Sequence, residues 1–114
     1  MRLLRSQRWA SEPSLSIDVA PAANGTEVRI AGELDLASVP QLRTCLADLT
    51  QRGEKHLVLD LSGVTFCDST ALGLFVGAHR RCEVSGGSIE FRSLPSSLRH
   101  LLRVSGLDQI LDVD

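Results

Sequence analysis

Halfway along the chain the apolar residues change their rhythm. Leu57-Val58-Leu59-Asp60-Leu61 is a short run rich in branched side chains that ends at a Ser62-Gly63 turn, and it reads as a central strand buried on both faces. From Ser69 the spacing lengthens. Ala71, Leu74, Phe75, Ala78 and Cys82 fall three or four residues apart, on one stripe of an α-helix. A strand buried on both faces needs a helix above it, and here a helix follows at once, so this stretch alone asks for an α/β fold.

The flanking segments extend that reading. Leu15, Ile17 and Val19 alternate with polar residues, the Asn24-Gly25 pair is a short-range hairpin signal, and Val28 and Ile30 follow, so the domain opens on a β-hairpin. Ser38 and Gln41 have the spacing of a capping box before Val39, Leu42, Leu46 and Leu49, and Gly53 closes the run. This predicts a helix of about three turns. The second helix runs from near Ser69 to about Glu83, with Gly86-Gly87 as its exit. Ile89 and Phe91 mark another strand, and Pro95-Ser96 opens a third helix carrying Leu98, Leu101 and Leu102. Ser105-Gly106 stops that helix, and Ile110 to Val113 suggests a short edge segment. The order β-β-α-β-α-β-α implies a mixed sheet of about four strands with helices packed on it. Residues 1–13 lack periodicity and are expected as a flexible arm, with the domain spanning 14–114.

Composition narrows the partners. A chain of 114 residues with 43% hydrophobic content suits one core and one domain. Its formal net charge is −2 and its 12 basic residues are scattered, so the positive field that nucleic acid requires is missing. No apolar run approaches the roughly 20 residues needed to span a bilayer. The basic start, Met1 to Trp9, lacks the apolar stretch and cleavage site of a secretory signal, and a cytoplasmic protein is expected. Cys45, Cys67 and Cys82 are too few and too far apart for a disulfide framework or a zinc site and read as small apolar residues.

Chemistry concentrates between the expected central strand and the second helix, in Val64-Thr65-Phe66-Cys67-Asp68-Ser69-Thr70-Ala71-Leu72-Gly73-Leu74. A loop leaving a buried strand and feeding a helix commonly carries functional groups in α/β folds. The helix stripe facing away from the sheet holds Ser69, Gly73, Val76, Arg80 and, slightly to one side, Gly77. A glycine inside a helix is about 1 kcal/mol less favourable than alanine. A flat outer face for close approach by a partner explains two of them; relief of crowding against a neighbouring helix is the alternative. Thr70, Leu72 and Val76 extend this surface, and the apolar members make it a candidate interface. Ser69 heads the stripe. A phosphate there would bring nearly two negative charges, which a helix N-terminus tolerates, close to Asp68 and toward Asp35. Repulsion and lost burial would then weaken partner binding. The plainer alternative is that Asp68 or Ser69 only caps the helix.

Ser69 with His56, His79 or His100 does not make a hydrolase. No Gly-x-Ser-x-Gly elbow is present, and an aspartate adjoining the serine cannot orient a base. Asp35 with Asp68 lacks further ligands for Mg²⁺. Neither an enzyme nor a resident metal or cofactor is expected.

Three motifs carry a resemblance. Gly32-Glu33-Leu34-Asp35 resembles the early Gly-Glu-Leu-Asp element of the STAS family. The stretch from Asp60 to Gly73 resembles that family's signature around a phosphorylated serine in the bacterial anti-sigma-factor antagonists, and Leu101 to Leu107 resembles its terminal helix. The likeness spans about Leu15 to Val113. It implies that the unphosphorylated protein binds an ATP-dependent anti-sigma-factor serine kinase and so frees a sigma factor to direct transcription. It further implies that the kinase phosphorylates the serine after the aspartate, Ser69, and that a PP2C-type phosphatase reverses this. Asp35 and Asp68 map beside that serine. The family places glycine where Ala71 stands, and the added methyl is expected to bear on docking. The alternative is a STAS subunit that is never phosphorylated and serves a signalling scaffold or a lipid-transport complex.

Overall fold

In the computed structural model, which describes residues 5–11 and 14–114, the first described element is a strand where an arm was expected. β1 (Gln7–Ser11) pairs antiparallel with β2 (Leu15–Ala22), with a bulge between Arg8 and Ala10. Trp9 and Ala10 pack half-buried against the core, and the Arg8 Nε to Asp18 Oδ1 ion pair (2.5 Å) lies across the strands. One apolar pair is too short a run to show a period, which hid this strand in the sequence. Of the expected arm, Arg5 and Ser6 are exposed outside the strand, and residues 1–4 and 12–13 lie outside the described residues.

β2 turns into β3 (Gly25–Leu34) as the predicted hairpin, but Ala22 pairs with Gly25, so Ala23 and Asn24 make the turn. Gly25 is needed for another reason: a Cβ there would sit 2.1 Å from the carbonyl oxygen of His56 on a neighbouring strand. Then come α1 (Val39–Gln51), β4 (His56–Cys67), α2 (Ser69–Val84), β5 (Ser88–Arg92), α3 (Ser96–Ser105) and a 3-10 turn at Leu107–Gln109. β6 (Asp112–Val113) closes the order. The sheet has six strands in sequence order, with β3, β4, β5 and β6 mutually parallel. The count exceeds the expected four by the two edges, β1 and β6.

Strand order advances steadily across the sheet, so successive right-handed crossovers bring every helix to the same face. The core lies in that single layer. Leu15, Ile17, Val28, Ile30, Leu57, Leu59, Leu61, Ile89 and Phe91 point into it and meet Leu42, Leu46, Leu74, Phe75, Leu98 and Leu102 from the helices. Phe75 of α2 and Phe91 of β5 touch with ring centroids 4.9 Å apart. The other face is open, which corrects the reading of Leu57–Leu61 as buried on both sides. Val58 and Asp60 alternate out of the core and are only half-buried. Ion pairs Arg29–Glu27, Arg29–Asp60 and Arg92–Glu90 line that face, as suits a solvated surface of a two-layer fold.

Candidate functional site

The C-terminal ends of β3 and β4 lie side by side. Leu34 pairs with Cys67, the Asp68 N–H donates to the Leu34 carbonyl (3.2 Å), and so Asp35 and Asp68 are the first residues to leave two adjacent parallel strands. The register is prepared upstream. β4 bulges after Asp60, whose Oδ1 accepts from the Ser62 N–H (2.9 Å) and hydroxyl (2.7 Å). Burial alone would raise the Asp60 pKa, but these bonds and the Arg29 guanidinium outweigh it and hold the carboxyl below its usual value. On β3, Gly32 has φ +110°, and a Cβ there would lie 2.0 Å from the Ser14 carbonyl oxygen. Only glycine fits such a position without strain. Asp60, Gly32 and the core-facing Leu34 are therefore structural parts of the two motifs.

Asp68 is the N-cap of α2. Its backbone is extended, its Oδ1 accepts from the Thr70 N–H at 2.8 Å, and its carbonyl accepts from the Ala71 N–H at 3.2 Å. Two N–H groups of the first turn are thus already taken. Ser69, the first helical residue, is exposed beside this cap, while Thr70 is half-buried. The helix then sorts as its spacing predicts: Ala71, Leu74, Phe75, Ala78 and Cys82 are buried. Gly73 and Arg80 are exposed and Val76 and Gly77 half-buried on the opposite side. A Cβ added at Gly73 would meet nothing within 4 Å, and one at Gly77 only the far end of Arg81, 3.6 Å away. Crowding inside this chain does not account for either glycine. Leu72 is half-buried and packs partly on the core, so it lies less freely on the outer surface than its position suggested.

Ala71 is 0% exposed. Its methyl faces the sheet, so it does not meet a docked partner directly, contrary to the expectation attached to it. Cys67 is half-buried, and burial, then the Asp68 carboxylate, push its thiol up to about 11. It stays a protonated, unreactive thiol near neutral pH.

Asp35 sits in the β3–α1 turn. Its Oδ1 accepts from the Ala37 and Ser38 N–H groups (both 3.0 Å). The capping box read from Ser38 and Gln41 does not form. The Ser38 hydroxyl instead donates to the Glu33 carbonyl (2.6 Å) and accepts from the Asp35 N–H (3.0 Å), and the Gln41 Oε1 is buried without a partner. Its spacing predicts a local cap, whereas Ser38 ties the strand end to the turn. Two apolar side chains that periodicity could not flag are displayed here, Leu36 (76% exposed) in the turn and Phe66 (50%) on β4 opposite Glu33.

The three histidines lie away from Ser69. His79 is ten residues along α2, roughly 15 Å away at 1.5 Å per residue, and pairs with Glu83 at 3.3 Å. His56 begins β4 and faces Ser88 (Nδ1 to Oγ, 2.9 Å) at the opposite end of the sheet, and His100 is on α3. Among the described residues no three His, Cys, Asp or Glu side chains gather as a metal site, and no helix is long and apolar enough to cross a membrane.

This arrangement has known counterparts. The family model described as Mlab, STAS domain, matches residues 17–112. The anti-sigma-B factor antagonist of Bacillus subtilis (strain 168) is 37% identical over 100 residues, covering 88% of this chain and 91% of that protein. Among solved structures, an anti-sigma factor antagonist from Mycobacterium paratuberculosis superposes with a TM-score of 0.80 at 22% identity, over 91% of this chain and 89% of that one. The anti-sigma factor antagonist SpoIIAA in its unphosphorylated form superposes with a TM-score of 0.73 at 21% identity, over 86% of this chain and 87% of that one. A sheet covered on one face, a serine after an N-capping aspartate and a match spanning most of the chain converge on one assignment: this protein belongs to the STAS domain family, among the bacterial anti-sigma-factor antagonists.

Proposed function

We propose that this chain is the reversible antagonist in a partner-switching circuit. Unphosphorylated, it binds an anti-sigma-factor serine kinase through the outer face of α2 and the adjoining β3–α1 turn, and the sigma factor is released. Asp35, Asp68, Thr70, Leu72, Gly73, Val76, Gly77 and Arg80 make up that surface. The kinase brings ATP and its metal; this chain brings the Ser69 hydroxyl, which attacks the γ-phosphoryl group, gives up its proton and leaves ADP behind. A PP2C-type phosphatase hydrolyses the ester and resets the cycle.

The observation that carries this reading is the position of Ser69. It is exposed at the head of a helix face whose glycines meet no crowding within the chain, next to a carboxylate that already accepts the Thr70 N–H of the first turn. A phosphate therefore adds a second strong anion beside Asp68 without displacing a core contact, and the dianion lies on the surface a partner must desolvate. Support also comes from the relatives: one at 37% identity is an anti-sigma-B factor antagonist, and SpoIIAA has been solved both unphosphorylated and phosphorylated.

The test is direct. With the anti-sigma kinase of the same organism and labelled ATP, wild type takes up phosphate and Ser69→Ala does not. Ser69→Asp binds the kinase at least about tenfold more weakly, since like charges brought together at an interface are strongly unfavourable. Labelling that persists in Ser69→Ala, or a Ser69→Asp variant that binds as wild type does, overturns the switch and leaves the unphosphorylated subunit as the better account.

A further inference from the structure

Ser38 is 2% exposed, and with Thr26 it is one of two polar residues buried in the core among the described residues. A buried hydroxyl is retained where its hydrogen bonds are made, because leaving its partners unsatisfied is unfavourable. Here both sides of the hydroxyl are used. It donates to the carbonyl of Glu33, the next-to-last residue of β3, and accepts from the N–H of Asp35, the first residue beyond the strand. Further bonds brace the turn: the Ser38 and Val39 N–H groups reach the Asp35 carbonyl (3.1 and 2.9 Å), and the Asp35 carboxylate takes the Ala37 and Ser38 N–H groups. A turn braced by these bonds at Asp35 and Ser38 holds one geometry. The residue it displays in that geometry is Leu36, which contributes almost nothing to the core. The turn leaves β3 where Asp68 and Ser69 leave β4, one strand away.

We propose that Ser38 is a positioning residue for partner binding. It fixes the Asp35–Ser38 turn so that Leu36 is presented to the kinase in the same encounter that presents Ser69. The inference rests on the switch reading above. Its physical basis is preorganisation: a contact residue on a loose turn must be ordered at the moment of binding, and one on a fixed turn has been ordered by folding. Ser38 is itself buried and acts on the partner only through the turn that carries Asp35 and Leu36, so it governs affinity and not phosphoryl transfer.

The experiment measures binding of the kinase to the full chain by calorimetry, and KM and kcat for Ser69 phosphorylation, for wild type, Leu36→Ala, Ser38→Ala, the double variant and Ser38→Thr. Leu36→Ala leaves the denaturation midpoint unchanged and weakens binding about tenfold, the loss of an apolar contact at an interface. Ser38→Ala raises KM by a similar factor with kcat unchanged, Ser38→Thr restores wild-type values, and the double variant is no weaker than Ser38→Ala by more than about twofold, because the two side chains act as one unit. Should Ser38→Ala fail to fold, Ser38→Cys, close to serine in size but a weak hydrogen-bonding group, takes its place. Wild-type affinity in Leu36→Ala, or effects that simply add in the double variant, overturn the proposal while the switch stands. A wild-type chain that binds no such kinase overturns the switch reading itself, and this inference with it.

Discussion

Asp68 and Ser69 are neighbours with separate duties. Asp68 is tied to the Thr70 N–H and to β3 through its backbone, so it serves the fold as well as the proposed docking surface; Ser69 is exposed beside it and serves the surface alone. Asp68→Ala is therefore expected to lower stability by about 1 kcal/mol, the usual loss for an N-cap, whereas Ser69→Ala stays within about 0.5 kcal/mol of wild type. Urea denaturation followed through Trp9, the one tryptophan, checks both, and equal losses in the two variants would show that the serine also serves the fold. At this scale much of the site was legible. An aspartate and serine before an amphipathic helix announce a helix start from residue type and order alone. Ser38 was not legible in its true role, because its spacing to Gln41 matches a capping box and its actual partner, Glu33, lies upstream on the preceding strand.

At the scale of the element, α2 shows how far a periodic pattern reaches. Its inward stripe could be written down in full because neighbouring turns of a helix repeat every 3.6 residues whatever lies around them. The outward stripe needed the structure to decide between crowding and openness, and the free space above Gly73 decided it. That yields a test with effects of opposite sign. Gly73→Ala is expected to stabilise the domain by about 1 kcal/mol, since alanine is the better helix former and its methyl meets nothing, and to weaken kinase binding if the glycine face is the docking face. Thermal unfolding and calorimetry on the same sample measure the two. A variant that is more stable and binds undiminished would remove α2 from the interface.

For the whole molecule, the open sheet face links stability to pH through Asp60, which joins β4 to β3 by way of Arg29 and to its own bulge by way of Ser62. Its carboxyl is held below 3.8 in the folded protein, so the ionised form contributes stability that is present above that value and fades as pH falls through the lowered one. Asp60→Asn should destabilise the protein at neutral pH, and the gap from wild type should narrow as the pH is taken well below 3.8; chemical denaturation at several pH values checks it, and a gap independent of pH would assign the effect to packing. This role of Asp60 also marks the boundary of what the chain announces by itself. Order and type of the main elements, the buried stripe of α2 and the place of Ser69 were determined locally, by periodicities of two and 3.6 and by turn residues that act within a few positions. The tertiary structure alone decided that β1 and β6 complete the sheet, that one face stays open, that Gly25 and Gly32 lie against backbone of other segments, and that Ser38 holds the turn beside Ser69. Each of these depends on which distant segments become neighbours, and strand register, unlike a helical period, is set between segments and not within them.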